Sequence, residues 1–166
     1  MKLAVIALLA LVVICSAQTP RPIPLPSLNL NKIAGTWYAV VGYPNTNFAP
    51  ITCYTMDFTP LSDTQVKLSF SVSVAGQKYS DTVTISVSHN GSVWTSQDSS
   101  VTDWISFDPV SGAWATFAKD NEQSAMIISR SPTLSNTIIQ SQLALLQSEG
   151  YNANSNNTMI IPSTQC

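Results

Sequence analysis

The chain has 166 residues, a formal net charge of −2 and only 10% charged residues, so its length fits one domain and no basic patch is there to hold nucleic acid. Serine, threonine and asparagine carry the surface polarity, and so thin a charge gives little electrostatic steering of any ligand. One histidine, and few cysteines beyond those a disulfide would use, leave no set with metal-ligand spacing, and neither metal nor cofactor is expected.

Residues 1–17 read as a secretory signal peptide: Lys2 gives a positive start, Leu3 to Ile14 are apolar, and Cys15-Ser16-Ala17 places small residues before a cut ahead of Gln18. The run is too short to span a membrane. Val13-Ile14 lacks the small residues expected before a lipidated Cys15, so the lipoprotein reading is the weaker one. The mature protein is therefore expected to be extracellular, with at most transient membrane contact, as a monomer or weak dimer. With Cys15 removed, Cys53 and Cys166 remain, and in a secreted chain they allow one disulfide, tying the last residue to an early strand. Asn90-Gly91-Ser92 and Asn156-Asn157-Thr158 fit the glycosylation sequon in expected loops.

Residues 18–27 alternate Pro20, Pro22, Pro24 and Pro26 with other residues and read as a stiff extended spacer ahead of a domain at 28–166. A half-turn from Leu28 to Ala34 leads into Gly35, and Trp37 opens an apolar strand over 36–43. A loop with Phe48 between prolines and asparagines follows, as a candidate exposed anchor. The second strand is expected over 51–59. The third, with Val66, Leu68, Phe70, Val72 and Val74 against lysine and serines, has one apolar and one wet face. The fourth repeats this with Tyr79, Val83, Ile85 and Val87, interrupted by Asp81 near an open end. Asn90-Gly91 is a two-residue hairpin signal. Further strands are expected over 92–97, 102–107, 113–118 and 124–129, then a helix over 136–149 capped by Ser135 and stopped by Gly150, and a last short strand over 158–161.

Eight strands with short connections predict an all-β fold, an antiparallel up-and-down barrel, because closure removes both unpaired edges. The helix stripe of Ile138, Ile139, Leu143, Leu145 and Leu146 would lie on its outside. A Greek-key sandwich needs a long crossover that is not visible. The inward faces offer Val41 and Tyr43 from the first strand, Tyr54, Met56 and Phe58 from the second, and Leu68 and Phe70 from the third. The later strands add Tyr79, Ile85, Trp94, Trp104, Trp114 and Met126. Such a cup suits a fatty acid, sterol, retinoid or similar small hydrophobic ligand.

Gly35-Thr36-Trp37-Tyr38, Phe107-Asp108 with Trp114-Ala115, and Ile127-Ile128-Ser129-Arg130 with Pro132 stand in order at the spacing of the three lipocalin motifs. The second departs from the family pattern, lacking the Thr and Tyr beside the Asp and carrying Trp114 for the usual Tyr. The chain over 28–166 thus resembles a lipocalin, nearest to apolipoprotein D and the related bacterial and insect lipocalins. The resemblance implies that Gly35, Trp37 and Arg130 seal the barrel base, with the arginine lying across the indole. It also places Trp104 and Met126 at ligand-lining positions.

Three functions stand beside one another. The first is a secreted carrier. The second is a filled barrel whose loops engage a protein such as a cell-surface receptor. The third is a lipocalin-type isomerase using Cys53 as its thiol. No Ser–His pair supports other catalysis, since His89 sits at a hairpin tip, and the protein is expected not to be an enzyme.

Overall fold

The computed structural model describes residues 22–44, 51–119, 124–163 and 166. The signal peptide, the start of the proline-rich arm, Phe48 and the turn at 120–123 lie outside them. The elements are α1 (Leu30–Ile33), β1 (Gly35–Tyr43), β2 (Ile51–Ser62), β3 (Gln65–Val74), β4 (Gln77–Ser88), β5 (Val93–Thr95), β6 (Val101–Phe107), β7 (Trp114–Lys119), β8 (Ser124–Ser129), α2 (Asn136–Ser148) and β9 (Met159–Ile160).

Each strand from β2 to β8 pairs antiparallel with the next, β8 pairs with β1, and β1 closes on β2, giving the expected eight-stranded barrel. The closure is partial in an instructive way. Gly35 to Tyr38 of β1 pair with β2, whereas Val41 and Gly42 pair with Ile160 and Met159 of β9. In the upper half of the seam the C-terminal tail therefore stands beside β1. Ile161 N donates to Val40 O, Ser163 Oγ donates to Ala39 O, and Cys166 is bonded to Cys53 of β2.

The strands sort their side chains as alternation requires. Inside lie Met56, Phe58, Val66, Ile85, Trp94, Trp104 and Ile128, over Ile33 and Trp37 at the base. Outside, a second core forms where α2 covers the barrel wall: Leu143 and Leu146 meet Val40, Val41, Ile105, Ala118 and Ile127. Ser135 Oγ accepts from Ile138 N to start α2, and Gly150, at φ +92°, ends it in the left-handed region glycine favours.

Several elements depart from the sequence expectations. Residues 22–28 are not a free spacer: Pro22 is buried, Leu25 N donates to Trp104 O, and Leu28 N donates to Asn90 O. The Asn90-Gly91 connection is longer than a two-residue hairpin, running from Ser88 to Val93, because the docked arm shapes it. A Cβ at Gly91 would lie 2.1 Å from Leu28 O. Finally, β5 is only Val93–Thr95, shorter than the expected 92–97.

Candidate functional site

The barrel base is sealed from below. Gly35, at φ +91°, bends the chain from α1 into β1, and Trp37 follows as a fully buried plug. Its Nε1 donates to Ile33 O at 2.8 Å. The Arg130 guanidinium lies 3.9 Å above the Trp37 ring. It donates to the carbonyls of Lys32, Ala34 and Thr36 at 2.9, 2.8 and 3.0 Å, tying the end of α1 to the start of β1. Burial draws this guanidinium below its ordinary value, and the Asp57 carboxylate pulls the other way. Trp37 does not line the space above it, which fits a plug and not a ligand contact.

Above the plug is a chamber of about 540 Å³ that opens at the far end of the barrel. Its floor is aromatic: Phe58 stands edge-on to Trp94 at 5.3 Å, and Trp104 touches Trp94 and Phe117 at 4.9 and 5.4 Å between centroids. Met56, Leu68, Ile85 and Met126 continue the wall upward, and Tyr43, Tyr54 and Phe70 stand toward the mouth. Tyr54 packs on Phe70 at 6.3 Å, and burial raises its phenol above the ordinary value. One side of the rim is polar, with Ser96, Asp98, Ser100 and Lys119. Hydrogen bonds from Ser96, then from Ser100, with Lys119 nearby, hold Asp98 at about 2.

The structure brings ten of the thirteen expected wall residues to this chamber: Tyr43, Tyr54, Met56, Phe58, Leu68, Phe70, Ile85, Trp94, Trp104 and Met126. Three do not belong to it. Tyr79 is 54% exposed and donates to Gln77 Oε1, because the β3–β4 hairpin projects past the mouth and residues 77–82 stand in solvent. Trp114 takes the outward phase of β7, in step with Thr116 and Ala118, while Ala115 and Phe117 point inward. Val41 is corrected too: a bulge between Ala39 and Val41 turns both Val40 and Val41 toward α2.

Residues that sequence reasoning missed include Phe117 and Val83, which the alternation of their strands offered, and Met159 and Ile161. The last two come from the tail, and nothing in the local pattern says that a segment after the helix returns to line the interior. A groove of about 700 Å³ at the closed end, between Leu28–Asn31 and the turns at 61–64 and 88–91, mixes polar groups with Leu28, Leu30, Leu61 and Val87 and lacks the predominantly apolar lining of the chamber. The two sequon asparagines, Asn90 and Asn156, are exposed. Cys53 is bonded to Cys166, so thiol-dependent isomerisation loses its nucleophile.

No family model matches the sequence, and no curated protein matches it. Solved structures do. The siderocalin Ex-FABP, described as functioning through dual ligand specificities, superposes with a TM-score of 0.65 at 16% identity, over 80% of this chain and 95% of that one. Lobster apocrustacyanin A1 superposes with a TM-score of 0.59 at 14% identity, over 80% of this chain and 78% of that one. At such identities the likeness speaks for architecture, and the architecture of this chain is the lipocalin fold: a closed eight-stranded barrel with a helix outside.

Proposed function

We propose that this protein is a secreted carrier that takes a small hydrophobic molecule, such as a fatty acid, sterol or retinoid, into its barrel and releases it again. The observation that carries the reading is the apolar chamber of about 540 Å³, closed below by Trp37 and Arg130 and floored by Phe58, Trp94, Trp104 and Phe117. Its volume lies within the roughly 300–1,000 Å³ of small-molecule sites. A hollow of this size weighs against the filled-barrel alternative. The Cys53–Cys166 bond supports an oxidising, extracellular setting and the apolipoprotein D-like placement of the sequence. The chemistry proposed is binding without catalysis.

Trp94 and Trp104 line the chamber, so their emission reports on its contents. Titration with fatty acids, retinol and cholesterol is expected to quench tryptophan fluorescence saturably for at least one of them. A flat response across that panel would overturn the carrier reading.

A further inference from the structure

The alternation of β3 does not stop where the chamber does. Leu68 and Phe70 line the chamber, and Val72 and Val74 continue the same face above it, half-buried. The β3–β4 register runs without a shift from Gln65 to Val74, so no bulge turns these valines outward. On β2, Tyr54 stands opposite Val72 and Ile51 opposite Val74, and both of these β2 residues line the chamber. On the other side the exposed Tyr79 of β4 lies across from Val72. The apolar wall thus runs on, past the mouth, into a strip of Ile51, Val72, Val74 and Tyr79. From Leu68 to Val74 the strand climbs about 20 Å.

The opposite face of the same hairpin is polar, with Ser69, Ser71 and Ser73 on β3 and Lys78, Ser80 and Thr82 on β4. A hairpin with water on both sides has no need of that difference. Strand propensity alone would be met by threonine, and an apolar face kept open beside a binding cavity marks something that covers it. The next hairpin is too short to screen the strip: β5 pairs only with Ser86, Val87 and Ser88 of β4, and the turn after it stands at the chamber rim. Continuity with the chamber decides the occupant. A chain leaving the chamber on the β2–β3 side passes Tyr54 and Phe70 and runs onto the strip, while the polar rim residues Ser96, Asp98, Ser100 and Lys119 stand on the β5–β7 side. The one charge on the strip's face, among the described residues, is Asp81, opposite Phe70, whose carboxylate accepts from Thr82 N at 2.7 Å. An anionic group lying there would meet like charge, and an uncharged one would not.

Taking the carrier reading as given, we infer that the ligand is a long-chain molecule that outreaches the chamber, with its uncharged outer part lying along Ile51, Val72, Val74 and Tyr79. The site then has two parts. The chamber takes the inner end of the chain, and the face of the projecting hairpin takes the rest.

The test uses three uncharged probes, 1-octanol, 1-dodecanol and 1-hexadecanol, presented to the intact protein from methyl-β-cyclodextrin and followed by tryptophan quenching. Affinity is expected to rise by about tenfold from dodecanol to hexadecanol, as the added methylenes leave water for the strip. Val72→Ser with Val74→Ser keeps the strand and removes the apolar strip. This double variant is expected to weaken hexadecanol about fivefold and octanol by less than about twofold. In the wild-type protein, the Val72 and Val74 methyl resonances are expected to shift with hexadecanol and to stay in place with octanol, a readout that needs no variant. Equal loss for octanol and hexadecanol would put the effect in the chamber and overturn the inference while leaving the carrier reading intact. So would equal affinity for dodecanol and hexadecanol, hexadecanol binding that the two serines do not change, or valine methyls that hexadecanol does not move. A ligand-free protein that sediments as a dimer, and as a monomer once the two serines are in place, would give the strip to a second copy and also overturn it. Saturable binding of none of the three alcohols, nor of any member of the broader panel, would remove the carrier reading and this inference with it.

Discussion

Asp108 shows how one side chain sets the shape of the closed end. Its carboxylate accepts from Val110 N and Ala113 N at 3.1 Å each and from the Ser111 hydroxyl, so the turn between β6 and β7 folds around it. The Ser111 hydroxyl, then the backbone N–H groups, hold the group at about 2, below its ordinary 3.8, against the opposing effect of burial. A carboxylate depressed on folding stabilises the protein fully above its unfolded value, and the contribution is lost as pH falls through the folded one. The unfolding midpoint is therefore expected to drop as pH descends from about 4 to about 2, with Asp98 adding to the same window. Asp108→Asn is expected to lower the midpoint at neutral pH and to make the acid-side fall shallower. An unchanged slope in thermal melts across that range would refute this account. The motif around Asp108 was legible in the sequence, since Phe107-Asp108 and Trp114-Ala115 mark a turn and a returning strand. The indole nitrogen of Trp104, buried without a hydrogen-bond partner among the described residues, was not, because its pairing depends on which carbonyls approach in space. Trp94, ten residues earlier, finds one three residues upstream.

Among the elements, the strands were readable wherever both faces differ in polarity. Val66 to Val74 against their serines gave β3 nearly to the residue, and Ser135 and Gly150 bracketed α2. What failed were departures from period two and statements of height. The β1 bulge moved Val41 outside, and Trp114 was given the wrong face of β7. Tyr79 has the inward phase of β4 but stands above the mouth, since alternation says which face a residue takes and not how far the wall extends. The helix stripe likewise hid a polar contact. Gln142, between Ile139 and Leu146, is buried, and its Oε1 accepts from the Thr116 hydroxyl of β7 at 3.0 Å. This is the hydrogen bond that fixes where α2 sits on an otherwise apolar interface. Thr116→Val would leave the Gln142 oxygen buried without a donor, and is expected to cost about 1–3 kcal/mol. Replacing both partners, as Thr116→Val with Gln142→Leu, removes the unmet group and is expected to return stability to within about 1 kcal/mol of the wild type. Urea unfolding of the four-member cycle measures this. A single Thr116→Val variant as stable as the wild type would show that the bond does not hold the helix.

At the scale of the whole molecule, the tail converts a half-open seam into a wall. β1 leaves β2 after Tyr38, and the upper gap is bordered by β9, Ile161 and Ser163, held at the far end by Cys166 on Cys53. Met159 and Ile161 face the chamber, so one segment closes the barrel and lines the proposed ligand site. The crosslink spans 113 residues of sequence. In the chain-entropy account, closing so long a loop stabilises by about 4–5 kcal/mol. Substituting both cysteines by serine is expected to cost an amount of that order in guanidinium unfolding. If the tail is only a tether, ligand affinity in the folded variant stays as it was. If it is wall, a loosened tail frees Met159 and Ile161 from the interior, and affinity for the apolar probes falls severalfold, chiefly through faster dissociation. Stopped-flow release of a bound retinoid from wild-type and Cys53→Ser/Cys166→Ser protein separates the two. The geometry of β9 predicts the faster release, and equal rates in a fully folded variant would show that the seam stays shut without its bond.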